Sequence, residues 1–257
     1  MMISTAINYL FLIVSAIIFM TSCTADGQTT HANSSDSVQQ EKRLLLFSKT
    51  SGWRHKSIEA GHEAITLLGE QNDVAVRVSE DASIFNPDSL AGYSAVVFLN
   101  TTETIFNDDQ RASFEGFIQN GGGFVGIHSA ADTEYDWPWY GELVGAYFDN
   151  HPPGTPNANV LVNDSSHTST TMLPEVWNRN DEWYNYQGFK DHINVLLTLD
   201  TESYEGSDHP GNHPIAWYHE FDGGRSFYTG LGHTEASYSD EQFIQHVWGG
   251  IIYAISG

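Results

Sequence analysis

The sequence predicts an α/β fold built on a mostly parallel β-sheet and completed by a late β-hairpin. Three observations carry this. From Lys42 onward, short apolar runs alternate with stretches of helical period, the pattern of repeated βαβ units. Asn107-Asp108-Asp109-Gln110 has capping-box spacing, and Gly121-Gly122-Gly123 stops the helix that it opens. Asp222-Gly223-Gly224 separates Pro214–Tyr218 from Ser226–Thr229, two strand-like runs, as a tight hairpin turn would.

The elements follow in order. Leu44-Leu45-Leu46-Phe47 is the first strand. After a polar loop Ser57 is placed to cap a helix that carries Ile58, Ile65 and Leu68 on one face and ends near Asn72. Val74–Val78 and Ala95–Leu99 are the next two strands, and Phe124–Ile127 is the fourth, after the capped helix. Ser239-Asp240-Glu241-Gln242 repeats the cap signal before a last helix, whose Phe243, Ile244, Val247, Trp248, Ile251 and Ile252 form a broad apolar stripe for the sheet. The middle, Thr133 to Asn194, holds prolines, four of the tryptophans and one clear strand, Val160–Val162, and its topology is not legible.

Length and composition bound the function. The chain has 257 residues and a net charge of −23, from 10 Lys and Arg against 33 Asp and Glu, so it would repel phosphate and is not a nucleic-acid binder. Its 40% apolar and 13% aromatic content suffices for one folded domain. The single cysteine, Cys23, excludes an intramolecular disulfide framework and a cysteine nucleophile within that domain. Cys23 follows the uncharged run Tyr9–Met20 and the small residues Thr21-Ser22, so residues 1–23 read as a signal peptide with a lipobox and Cys23 as the lipidated first residue of the mature protein. The n-region lacks Lys and Arg, and an uncleaved anchor is the alternative; either places the domain outside the cytoplasm. Residues 24–41, rich in Ser, Thr, Asn and Gln, read as a flexible tether, and 42–257 as the folded domain.

In parallel sheets, ligands bind beyond the carboxyl ends of the strands. The segments there are polar: Ser48 to His55 after the first strand, Asn100 to Glu103 after the third, His128 to Asp132 after the fourth. A sharp strand-to-helix turn at Gly126–Ala130 puts His128 at an elbow on the sheet edge, facing His55 and Glu103; the alternative is a core histidine bonded to backbone. The hairpin places His213 opposite Gly232–Thr234 and hence near His233, as metal ligands, as a proton-sharing pair or as surface residues. His151 lies in a loop before Pro152. Asp181-Glu182-Trp183-Tyr184 joins carboxylates to flat rings, which suits a sugar and equally suits an acidic core edge. Trp53, Arg54, Glu103, Trp183 and Tyr184 are the candidate substrate-binding residues, and His128, Asp132 and Glu182 the candidate catalytic ones. His62 reads as a helix-surface residue, and His167, His192, His209, His219 and His246 receive no role. No repeat, P-loop, GxGxxG or CxxC is present.

Gly52-Trp53-Arg54-His55, Gly126-Ile127-His128-Ser129-Ala130 with Asp132, His151-Pro152, Asp181–Tyr184, His213–Trp217 and Gly224–Thr234 together resemble the ThuA-like family, named for trehalose utilisation, over nearly all of Arg43 to Gly257. The resemblance implies a flavodoxin-like three-layer sandwich of the class I glutamine amidotransferase type. In that larger group a cysteine occupies the elbow and a His-x-Glu follows a late strand. Here His128 stands at the elbow and His233-Thr234-Glu235 keeps the second pattern, so glutaminase chemistry is excluded. The resemblance further implies metabolism of disaccharides or glycosides oxidised at C3, by a protein outside the cytoplasm. A divalent ion held by some of His55, His128, His151, His213 and His233, with His128 or Glu182 removing the acidified C2 proton, is the expected chemistry. A hydrolase with Asp132 and Glu182 as its carboxylate pair and a non-catalytic sugar-binding lipoprotein are the alternatives.

Overall fold

The computed structural model describes residues 41–257; the expected leader, Cys23 and the tether up to Gln40 lie outside them. The chain forms β1 (Arg43–Phe47), α1 (Ile58–Gln71), β2 (Ala75–Ser79), α2 (Pro87–Leu90), β3 (Ala95–Leu99), α3 (Asp108–Gln119) and β4 (Gly123–Ile127). The middle then contributes α4 (Pro138–Val144), β5 (Tyr147–Asn150), β6 (Asn157–Val162), β7 (Val176–Asn180) and β8 (Asn185–Gln187). It ends with β9 (Asn194–Leu199), β10 (His213–Phe221), β11 (Gly224–Thr229) and α5 (Glu241–Ile255).

One nine-stranded sheet has the order β2-β1-β3-β4-β11-β10-β9-β6-β7. The first five strands in that order are parallel and the rest alternate, so only β10 and β6 run against the common direction. Every residue of β3 and β4 is buried, as continuous apolar runs covered on both faces require. Alternate side chains serve the two helical layers. Leu99, Ile127 and Phe227 face α1 and α5, where a Cβ on Gly61 or Gly250 would lie within 2.7 Å of Leu99 or 2.3 Å of Phe227. Phe98 and Phe124 face Phe114 of α3 and Tyr140 of α4 through ring contacts of 5.3 to 6.1 Å. The result is a three-layer, flavodoxin-like sandwich.

The local signals act largely as read. Asn107 and Gln110 form a reciprocal capping box. Asp222 and Gly223 both have positive φ, at 50° and 96°, so the hairpin closes on a type I′ turn with Phe221 opposite Gly224. Two expectations change. Ser57 does not cap α1 with its side chain: buried, it donates to the Gly232 carbonyl and accepts from Asn100 Nδ2. The last cap is Asp240 rather than Ser239, its carboxylate accepting from Gln242 N. Among the described residues no helix is long and apolar enough to cross a membrane.

Candidate metal centre

The carboxyl ends of β1, β3, β4 and β11 lie at one edge of the sheet because these strands are parallel. His128 follows β4 with φ of 50°, a left-handed conformation uncommon outside glycine, so the chain turns sharply at the expected elbow. Its ring is fully buried. Nδ1 lies 2.8 Å from the Gly230 carbonyl, which can only accept, so Nδ1 carries a hydrogen and Nε2 faces inward. There Nε2 lies 3.3 Å from Glu182 Oε2 and 3.2 Å from His233 Nδ1, which is itself 3.1 Å from Glu182 Oε2. His55, on the β1 loop, completes the group. Its ring centroid is 5.0 Å from that of His128 and 5.1 Å from that of His233, and its Nδ1 lies 3.3 Å from Ser129 Oγ.

Each of His55, His128, Glu182 and His233 offers a ligand atom, all within 4.8 Å of one another, and the cluster can hold a metal ion. The donor chemistry fits. Burial, then the adjacent His128 and His233, pushes the His55 imidazole down to about 2, so it stays neutral. Burial alone would raise Glu182, but the His128 and His233 rings outweigh it and hold the carboxyl well below its usual range. His233 shows the reverse balance: burial lowers it, and the Glu182 carboxylate more than restores it. A carboxylate and inward lone pairs a little over 3 Å apart repel unless a proton or a cation lies between them. Here the ring hydrogen on His128 is committed to Gly230, an outer contact of the kind that orients metal-binding histidines.

The remaining candidates fall into distinct places. His151 is exposed at the mouth. Its Nδ1 donates to the Pro152 carbonyl and lies 3.4 Å from Glu182 Oε1, beside the four-residue cluster rather than within it. The expected His213–His233 pair is not formed. His213 is buried, donates from Nε2 to the Tyr184 carbonyl, and accepts at Nδ1 from Tyr204 and Ser207. Trp183 is no sugar platform either, being wholly buried with its Nε1 donating to the Pro156 carbonyl. Tyr184 packs its ring 4.1 Å from His128 and forms the floor of the cluster. Trp53 is 70% exposed two residues before His55, and Arg54 beside it is paired with Glu59 and Glu80. Glu103 is exposed on the rim and stands outside the cluster that His128 faces. Asp132 accepts from Tyr135 Oη at 2.6 Å, and burial raises its carboxyl.

Sequence reasoning missed three contributors: Ser129, the Gly230 carbonyl, and Asp181, whose carboxylate accepts from the Gly232 and His233 amides. Ser129, adjacent to the elbow, and Asp181, beside Glu182, stood in segments that the sequence singles out, but the backbone bonds that give them and the Gly230 carbonyl their roles had no local signal. A cavity of about 660 Å³ lies at the opposite edge, between Tyr93, Phe117 and Ile255; among the described residues that line it there is no histidine, aspartate or glutamate.

Known proteins share this architecture. A ThuA-like protein from Bacteroides uniformis superposes with a TM-score of 0.73 at 21% identity, over 84% of this chain and 92% of that one. A ThuA-like protein from Parabacteroides merdae gives 0.66 at 20% identity, over 83% and 90%. A β-galactosidase from Bacillus circulans gives 0.53 at 14% identity and is matched over only 31% of its own length. At these identities the likeness shows the fold, which is of the class I glutamine amidotransferase type. Among curated proteins no relative matches. The family model described as trehalose utilisation matches residues 43–254, which include the elbow, the His/Glu cluster and the hairpin, and the chain therefore belongs to the ThuA family.

Proposed function

We propose that this protein is an extracytoplasmic enzyme, lipid-anchored at Cys23, that cleaves 3-keto glycosides by removing the C2 proton beside a divalent metal centre. Family membership supports a carbohydrate-related role in general. The observation that carries the finer reading is the convergence of three imidazoles and one carboxylate at the sheet edge, with an exposed tryptophan on the loop that bears His55.

His55, His128, Glu182 and His233 would hold the ion. When bound, it supplies Lewis acidity for a ketone oxygen on which negative charge develops. With His128 and Glu182 engaged as ligands, the base falls to the imidazole next to them. His151 keeps its hydrogen on Nδ1, against Pro152, so Nε2 is free to accept a proton from C2. The C2–H electrons then form the C1–C2 double bond as the C1–O bond breaks, and the proton passes from His151 to the departing oxygen. Trp53 offers its ring face to the apolar side of a pyranose.

A second reading draws on the opposed shifts of two carboxyls. Asp132, raised, would serve as acid, and Glu182, held low, as base or nucleophile of a glycoside hydrolase. Product analysis separates the readings. The purified protein is incubated with 3-keto disaccharides and their unoxidised parents, before and after chelation. Cleavage confined to the keto sugars and lost on chelation supports the proposal. Equal cleavage of unoxidised sugars supports the hydrolase, and sugar bound but recovered unchanged leaves a binding protein.

A further inference from the structure

We infer that Asp181 is the positioning residue of the centre: its buried carboxylate ties the segment bearing Glu182 to the segment bearing His233. Oδ1 accepts from the Glu182 and His233 amides, each at 3.0 Å. Oδ2 accepts from the Gly232 amide at 2.9 Å, from Arg179 Nη2 at 3.1 Å and from Ser237 Oγ at 3.3 Å. The two segments lie about fifty residues apart in the chain, and each delivers one member of the cluster.

The need for such a group comes from the backbone. Beyond Thr229 the chain has left β11, and Gly232 takes φ of 108°, so the amides of Gly232 and His233 have no strand to pair with. Left in an apolar interior these donors would lack partners, and one carboxylate satisfies both. Because it also holds the amide of Glu182, it sets the relative placement of Glu182 and His233, whose side chains meet at 3.1 Å. Arg179 pairs with the carboxylate in the interior. Its guanidinium lies 4.4 Å from the Trp177 ring centroid, 5.1 Å from that of Phe243 and 3.6 Å from Asp240, and with Nε and Nη1 lacking hydrogen-bond partners it is anchored through Nη2, which donates to Ser237 Oγ at 2.8 Å and to Asp181. The pair is therefore polarised, with the arginine toward the core and the carboxylate toward the site.

The metal arm of the test rests on the function proposed above; the geometric arm does not. Asp181→Asn keeps its one acceptor oxygen on the side of the Arg179 guanidinium and the Gly232 amide and so turns an NH2 group against the Glu182 and His233 amides, while Arg179→Met removes the counter-charge and leaves the three amide bonds. Crystal structures and Zn²⁺ affinity, by competition with a chromophoric chelator, are measured with Tm for wild type and both variants. Asp181→Asn is expected to separate Glu182 from His233 beyond hydrogen-bond contact and to weaken Zn²⁺ binding at least tenfold, as loss of an outer-contact residue does. Arg179→Met is expected to lower Tm while holding Zn²⁺ affinity within threefold. An Asp181→Asn structure that retains the Glu182–His233 contact overturns the inference, as does an affinity loss in Arg179→Met equal to that in Asp181→Asn. If Asp181→Asn does not fold, Arg179→Met with Asp181→Leu replaces the buried pair by apolar volume and meets the same criteria. If the wild type takes up no Zn²⁺, the metal reading fails and the crystallographic contact alone decides the role of Asp181.

Discussion

Three buried histidines outside the His/Glu cluster should make this protein acid-labile, and the size of the effect follows from their surroundings. His213, His219 and His246 are at most 1% exposed. Burial pushes His213 and His219 down to about 4 and His246 to about 3, against an ordinary value of 6.5. Each ring donates one N–H to a carbonyl, of Tyr184, Glu142 and Ser169 respectively. The second nitrogen of His213 and His246 accepts from hydroxyls, and that of His219 is buried without a partner, so a second proton has no good place to go. A folded value below the unfolded one means that unfolding takes up protons. The stability is fully present above the unfolded value of 6.5 and is lost as pH falls. At pH 5 the three rings together bind nearly three more protons unfolded than folded, and each proton changes stability by about 1.4 kcal/mol per pH unit. Between pH 7 and 5 the loss comes to roughly 5 kcal/mol, a large part of the 5–15 kcal/mol that a domain has. Urea titrations at half-unit pH steps, with calorimetric proton uptake in buffers of different ionisation heat, measure it. His246→Gln should flatten the profile by about a third. An unchanged midpoint from pH 7 to 5, or uptake below about one proton at pH 5, would refute the reasoning.

Further expectations concern the site and the anchor. His128→Asn, chosen because asparagine accepts the left-handed φ, should leave the circular dichroism spectrum unchanged while abolishing both metal uptake and turnover of a 3-keto glycoside; retained turnover would remove His128 from the centre. Trp53→Ala removes a ring that is 70% exposed, so stability should stay within about 0.5 kcal/mol while KM for a disaccharide rises about fivefold at constant kcat. A change in stability with unchanged KM would make Trp53 structural. Cys23→Ser should move the protein from the membrane fraction to the soluble one, and mature protein whose mass shows no acyl group at Cys23 would exclude the lipid anchor.

The parallel half of the fold was legible because its signals are local. Leu44–Phe47, Ala95–Leu99 and Phe124–Ile127 are buried on both faces, so each reads as an unbroken apolar run, and the capping box at Asn107 needs only four residues. Of the antiparallel half only the hairpin strand β10 and the end of β6 were legible. In β7 the buried Trp177 and Arg179 alternate with exposed Val176, Asn178 and Asn180, and β6 is a partly buried strand in which Asn157 and Asn159 bond across to Asn178. Amide-rich strands of this kind resemble loops in composition, and only their pairing reveals them.

The same division explains what was legible at the site. His55, His128 and His233 each follow a strand of the parallel half, where the rule for open sheets applies directly, and Glu182 stood out as a carboxylate beside rings. The expected neighbour of His233 failed for a reason that pairing alone could not expose. The hairpin register continues to Ile215 and Gly230, joined by a backbone hydrogen bond, so His213 does start opposite the end of β11. Gly232 then turns the chain toward Asp181, while His213 pairs with Leu199 of β9 and turns its ring to Tyr204 and Ser207. Two residues adjacent by register were thus drawn apart by tertiary partners from segments that local periodicity left unread. One of those segments, following β7, supplies both the carboxylate that enters the cluster, Glu182, and the one that fixes its neighbour, Asp181. Two adjacent acids of identical charge are separated in role by direction alone: Asp181 faces backbone amides and a guanidinium, and Glu182 faces imidazoles.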